Sequence, residues 1–301
     1  MERKLRNNSL LVLLSCALAY LAIGACGSSN NNNTATPDAG SPDAGATGVS
    51  VKFATLDSAQ ETGATPSTAY GAGVLAVDLA TGKLGGFMIT SGLVSPTIAH
   101  IHDSSGRGVA GGVIVPLTKG TIRTLTAGEL TLWVVPDDAA ALTGAQIADF
   151  QAGKLYYNAH TTANPNGEIR GQLDHTGTVK LASLDSAQET GATPSTAVGG
   201  GILAVDTDGK AAGFFVTTGL ANKTNAHVHD SSGRGVAGGV ILPLTGVTPS
   251  TPAGGSDLWV VPDNGSINAT QVADFAAGRL YYNAHTQANP NGDIRGQLDR
   301  P

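Results

Sequence analysis

The sequence predicts an all-β protein: two tandem antiparallel β-sandwich or barrel domains, each with one short helix, placed after a signal peptide and a disordered linker. Three observations carry that prediction. The chain of 301 residues repeats itself over a long period, with KFATLDSAQETGATPSTAYGAGVLAVD from Lys52 returning as KLASLDSAQETGATPSTAVGGGILAVD from Lys180. Within each copy, short segments rich in β-branched and aromatic residues recur between clusters of Gly, Pro, Asn and Asp, the spacing of antiparallel strands. Charged residues are only 13% of the chain while Gly numbers 41, a composition that suits extracellular β structure.

The chain begins with a basic stretch, MERKLR, followed by the apolar run LLVLLSCALAYLAIGA, the layout of a secretory signal peptide over residues 1–25. The run falls short of the about 20 apolar residues that a stable membrane span needs. Ile23-Gly24-Ala25-Cys26 resembles a bacterial lipobox, in which the cysteine is lipidated and becomes the new first residue. Cys26 is therefore the candidate lipidation site, and the lipid the expected link to a membrane. With Gly27 after it, the anchor resembles those sorted to the outer membrane, facing either the periplasm or the exterior. Residues 26–48 carry almost no large apolar side chain; they cannot bury enough surface to offset ordering entropy and are expected to be a disordered tether.

Two domains then follow, residues 49–175 and 176–301, each near the common single-domain size of about 100 to 150 residues. The offset between matching residues falls from 128 at Lys52 and Lys180 to 125 at His160 and His285. The slips lie in segments that read as turns, such as DLATGK against DTDGK, where insertion disturbs no strand pairing.

In the first copy the expected strands are VKFATLD, GVLAVDL, LGGFMITSGL, TIAHIHD, GVIVPL, LTLWVVP, KLYYNAH and EIRGQL. In VKFATLD, Val51, Phe53, Thr55 and Asp57 share one face and Ala54 and Leu56 the other. Thr143 and Gln146 fit a capping box that opens a short helix, which Gly153 ends; Asn268, Gln271 and Gly278 repeat it. Ile147 and Phe150, like Val272 and Phe275, would face the sheet. Trp133 and Trp259 sit among β-branched neighbours and are expected in the core, with one ring of each Tyr156-Tyr157 and Tyr281-Tyr282 pair buried. The NPNG segments supply hairpin turns in which Gly accommodates positive φ.

Six of the seven histidines fall at matching places: His100, His102 and His160, then His227, His229 and His285. Residues two apart on a strand project from one face, so each HxH offers two imidazoles about 6 to 7 Å apart. With the histidine of NAH as a third ligand, the set is a candidate three-nitrogen site for copper or zinc with one open position. The opposing expectation is that these rings only hydrogen-bond across strands or to loop backbone.

Glu168 with Arg170, and Asp293 with Arg295, lie two apart after the NPNG turn and are expected to form structural ion pairs. The segment SSGRGVAGG looks like a flexible glycine loop without the strand and helix context of a phosphate cradle. Beyond Cys16 in the signal segment and Cys26 there is no cysteine, which excludes thiolate metal sites, disulfides and cysteine nucleophiles from both domains. The formal charge of −6 becomes −8 without the signal segment, which carries +2, and argues against a nucleic-acid partner.

The combination AHIHDSSGRGVAGGVIVPL, a short helix and GKLYYNAHTTANPNGEIRGQL resembles the CHRD domain, a module first described in chordin and widespread in secreted bacterial proteins. The resemblance covers about residues 49 to 300, once per copy, and implies an all-β extracellular domain of largely unassigned biochemical role. This chain lacks chordin's cysteine-rich ligand-binding modules, so that context is not transferred. A weaker similarity, an HxH on a β-barrel strand, links it to copper/zinc superoxide dismutases. It departs from them in having too few histidines per domain for a two-metal site and no disulfide cysteines.

Two functional expectations follow. The first is a non-enzymatic binding or adhesion module, lipid-anchored at the cell envelope and engaging an unidentified envelope or extracellular ligand, with no catalytic residues. The second is a copper- or zinc-binding protein or mononuclear metalloenzyme that uses the three histidines of each domain.

Overall fold

A computed structural model of the chain describes residues 48–63, 65–120, 129–191, 193–246 and 255–300. The signal segment, Cys26 and nearly all of the expected tether lie outside the described residues. The first copy contains β1 (Val49–Asp57), β2 (Tyr70–Asp78), β3 (Leu84–Leu93), β4 (Pro96–Asp103), β5 (Gly112–Pro116), β6 (Thr118–Gly120) and β7 (Glu129–Val134). After these come α1 (Gly144–Gln151), β8 (Leu155–Thr161) and β9 (Ile169–Gln172). The second copy repeats the order as β10 (Thr178–Asp185), β11 (Val198–Val205), β12 (Ala211–Thr218), β13 (Lys223–Asp230), β14 (Gly239–Pro243), β15 (Thr245–Gly246), β16 (Ser256–Val260), α2 (Ala269–Ala276), β17 (Leu280–Thr286) and β18 (Ile294–Gln297).

Each copy is one antiparallel sheet of nine strands, in the order β5-β4-β8-β9-β1-β2-β3-β7-β6 and its counterpart β14-β13-β17-β18-β10-β11-β12-β16-β15. The outermost strands β5 and β6 are two halves of a single segment that bends at Pro116 and Leu117. The first half pairs with β4, the second with β7, and the Leu117 N–H donates to the Ala99 carbonyl at 2.9 Å. The sheet therefore closes on itself as a barrel, which removes the free edges that an open sheet would present.

Alternation decides what fills the barrel. In β1, Ala54 and Leu56 point inward to join Leu75, Met88, Ile101, Trp133, Phe150 and Tyr157, all essentially inaccessible to water. Leu184, Leu203, Phe215, Val228, Trp259, Phe275 and Tyr282 do the same in the second copy. Both tryptophans are thus core rings, and the Trp133 Nε1–H donates to Thr90 Oγ1 at 3.2 Å. The helices pack against the sheets as their sequences predict, with Phe150 and Phe275 in the two cores and Ile147 and Val272 against them. Thr143 and Gln146 form the reciprocal capping box of α1, Asn268 and Gln271 that of α2, and Gly153 and Gly278 follow at φ 71° and 74°.

The outer face of β1, β2, β3 and β7 is apolar as well, because the second barrel covers it. Phe53, Val74, Phe87 and Ile89 form one cluster with Ile202, Phe214, Val216 and Val260. Phe87 meets its own counterpart Phe214 edge to face, with centroids 6.1 Å apart. Thr55 Oγ1 donates to the Val261 carbonyl at 2.8 Å and the Tyr70 hydroxyl to the Leu258 carbonyl at 2.9 Å. This second buried face explains why the period-2 alternation in these strands is blurred. Among the described residues no helix is long and apolar enough to cross a membrane.

Candidate metal centre

Because Ala99 and Ile101 of β4 pack inside the barrel, Ile98, His100 and His102 point outward. On the neighbouring strand β8, Tyr157 and Ala159 point inward and Tyr156, Asn158 and His160 outward. The register sets Ile98 opposite His160, His100 opposite Asn158 and His102 opposite Tyr156. His160 thus sits diagonally from His100, and the three rings close a triangle. Their centroids lie 5.5 Å (His100 to His102), 5.0 Å (His100 to His160) and 6.2 Å (His102 to His160) apart. The second copy gives 5.5, 5.0 and 5.9 Å for His227, His229 and His285. In each triad one nitrogen per ring lies within 4.8 Å of the others.

Backbone carbonyls fix which nitrogen carries the proton. His102 Nδ1 is 3.0 Å from the Gly111 oxygen, which can only accept, so the proton resides on Nδ1 and Nε2 keeps its lone pair. That Nε2 is buried and, among the described residues, has no hydrogen-bond partner, and the same holds for Nε2 of His229. His160 Nδ1 donates to the Pro165 carbonyl at 3.1 Å, which frees its Nε2 lone pair as well. Without a metal His100 Nδ1 donates to that Nε2 at 3.2 Å; for both nitrogens to ligate one ion, the His100 proton moves to its own Nε2. Gly238, Pro290 and the His227 to His285 contact at 3.1 Å reproduce every one of these bonds. A histidine that ligates a metal through one nitrogen characteristically donates from the other to a carbonyl or carboxylate.

The donor set and spacing decide which metals fit. Zinc–imidazole bonds of about 2.0–2.1 Å place tetrahedral nitrogens about 3.3 Å apart, close to the His100 to His160 separation. The set contains three imidazoles and neither a thiolate nor a carboxylate, which suits zinc or copper rather than calcium or magnesium. Burial, reinforced by the adjacent His160 and His102, lowers the pKa of His100 to about 4; His227 falls to about 4 in the same way, through burial, His285 and His229. Burial lowers His102 and His160 too, against the opposing hydrogen bonds to Gly111 and Pro165. All three rings are neutral at neutral pH, the form that ligates.

A stacked column supports the triad. His102 lies on Tyr156, with centroids 4.8 Å apart and planes 14° from parallel, and the Arg170 guanidinium covers the other face of that ring at 3.5 Å. The Gly111 N–H donates to the Tyr156 hydroxyl at 3.0 Å, so one residue orients both His102 and its platform. A Cβ at Gly111 would meet the Asp103 oxygen at 1.8 Å, which is why glycine stands there. Asn158, opposite His100, donates to Glu61 at 2.7 Å, and burial pushes that carboxyl's pKa upward.

Three expectations change. Glu168 and Arg170 do not form the ion pair read from their spacing. The Glu168 carboxylate accepts from Ser67, Thr161 and Asn164, while Arg170 donates to the Val109 carbonyl and to Gln172 Oε1. Asp293 likewise turns to Ser195, Thr286 and Asn289, and Arg295 to Val236 and Gln297. The SSGRGVAGG loop is a pinned lid, since Arg107 binds Asp174 and Asp263 and Arg170 holds Val109. Both tyrosines of each pair are buried, one in the barrel and one under this lid. The sequence marks Tyr156 only as half of a pair with one buried ring, and gives Gly111 and Pro165 no role at the site. The outward set Tyr156, Asn158, His160 in LYYNAH was the available signal.

A family model described as the CHRD domain matches residues 52–173 and again 181–298. No curated protein and no solved structure matches the chain.

Proposed function

Since the chain belongs to the CHRD domain family, with two such domains in tandem, we propose one function for both copies: each binds a single zinc or copper ion through its three histidines. The observation that carries the reading is the pair of buried Nε2 atoms of His102 and His229, unpartnered among the described residues, each in a triad whose candidate ligand atoms lie within 4.8 Å of one another and each with its opposite nitrogen tied to a backbone carbonyl. Leaving such an acceptor buried and unsatisfied costs about 1–3 kcal/mol, which a metal ion would remove. Three protein ligands leave a fourth position for water or an exogenous ligand. We place the protein at the cell envelope, held by a lipid on Cys26, with its metal centres carried beyond the inner membrane.

The test is elemental analysis of the purified full chain after zinc or copper reconstitution, with His102→Ala and His229→Ala together as control. One ion per domain in the parent and none in the control is the expected result. No stoichiometric metal in the parent overturns the reading. The other expectation, a non-enzymatic binding or adhesion module, draws support from the exposed valines kept at matching places, Val109 and Val113, then Val236 and Val240. Retention of an envelope protein or glycan by the metal-free chain would favour it.

A further inference from the structure

The two centres share ligands, proton-bearing nitrogens and stacked supports, and their rims agree almost everywhere. Val113 and Val240, each opposite the second histidine of its HxH, are both 52% exposed, and Pro116 and Pro243 stand opposite the first. One rim position on the strands differs in kind. Ile98, on the histidine face of β4 and directly opposite His160, is 50% exposed; its counterpart on β13, directly opposite His285, is Asn225, also exposed. Directly opposed residues have Cβ atoms about 4.5–5.5 Å apart, and same-face neighbours on a strand about 6 to 7 Å. Each side chain therefore flanks two of the three ligands. Asn225 Oδ1 accepts from Thr224 Oγ1 at 3.3 Å, and among the described residues its Nδ2 group has no partner.

Resting on the metal reading above, we infer that the two centres differ in the fourth ligand they accept. The second domain takes a small hydrogen-bond-accepting anion or water, held by the Asn225 amide. The first presents the Ile98 methyls at the same place and disfavours it. A metal-bound anion lying against Ile98 loses solvent without gaining a donor, whereas Asn225 supplies one. A hydrogen bond to a charged group is worth at least about tenfold in affinity.

The experiment uses two variants of the full chain with one intact centre each, His100→Ala with His102→Ala, and His227→Ala with His229→Ala. Each is loaded with Cu(II) and titrated with azide, read by the ligand-to-copper charge-transfer band. The Asn225 centre is expected to bind azide at least about tenfold more tightly. Asn225→Ile is expected to remove that advantage and Ile98→Asn to confer it; both positions are exposed, so folding is retained. Equal azide affinities, or exchanges without effect while copper stays bound, overturn this inference and leave metal binding intact. Failure of both single-centre variants to take up copper overturns the metal reading and this inference with it.

Discussion

Replacing Phe214 by alanine tests whether the two barrels fold as one unit. Phe214 is 1% exposed, yet it lies outside its own barrel, in the cluster shared with Phe53, Val74, Phe87 and Ile89 of the first domain. Phe→Ala in a packed core costs about 3–5 kcal/mol. The edge-to-face contact with Phe87 at 6.1 Å accounts for about 0.5–1.5 kcal/mol of that. A cooperative unit of 150–250 residues loses about 2–4 °C of Tm per kcal/mol. A loss of about 4 kcal/mol therefore predicts a single calorimetric transition displaced downward by about 8–16 °C. The assay is differential scanning calorimetry of the parent and Phe214→Ala chains, with the calorimetric and van't Hoff enthalpies compared. Two resolved transitions of which only one moves, or a displacement under about 2 °C, would refute the reasoning.

Three further outcomes follow from the site and its surroundings. Gly111→Ala forces the lid away from Asp103 and takes the carbonyl partner from His102; zinc affinity of the first centre is expected to fall about 10–100-fold in a chelator competition, with far-UV circular dichroism unchanged. Burial alone would raise the Glu168 carboxyl, but hydrogen bonds from Thr161, Asn164 and Ser67 outweigh it and hold the pKa below 4.5. A depressed folded pKa gives stability that is present above the unfolded value and lost as pH falls through the folded one. The parent Tm should therefore drop below about pH 4.5 more steeply than that of Glu168→Gln, and parallel curves would count against the assignment. Cys26→Ser is expected to move the protein from the detergent-extracted membrane fraction to the soluble fraction and to abolish fatty-acid labelling.

Much of this architecture is legible in the residues. Each copy's strands lie where β-branched runs meet turn clusters, and Thr143, Gln146 and Gly153 announce a helix through their own capping chemistry. The HxH fixes two imidazoles on one face by strand geometry alone. Placing His160 beside them needs the register of β8 against β4, which depends on contacts 60 residues apart. Arg170 shows the limit of spacing rules. Being two residues from Glu168 puts both on one face, but it does not say that Asn164 of the NPNG turn, Thr161 and the distant Ser67 will claim the carboxylate first. The lid was illegible for a related reason. Gly-rich sequence signals freedom, and only the folded chain brings Arg170 and Tyr156 to its backbone and Asp174 and Asp263 to its Arg107.

Phe87 touching its own counterpart Phe214 has a further consequence. Equivalent faces of two equivalent barrels meet, as they do in a homodimer, so the chain amounts to a dimer whose protomers are joined covalently. The junction is brief, running from β9, which ends at Gln172, to β10, which begins at Thr178. A short connection of this kind holds two partners at an effective concentration on the order of millimolar, whatever the protein's abundance. Association of the two barrels therefore no longer depends on dilution. Both histidine triads then stay together in one chain.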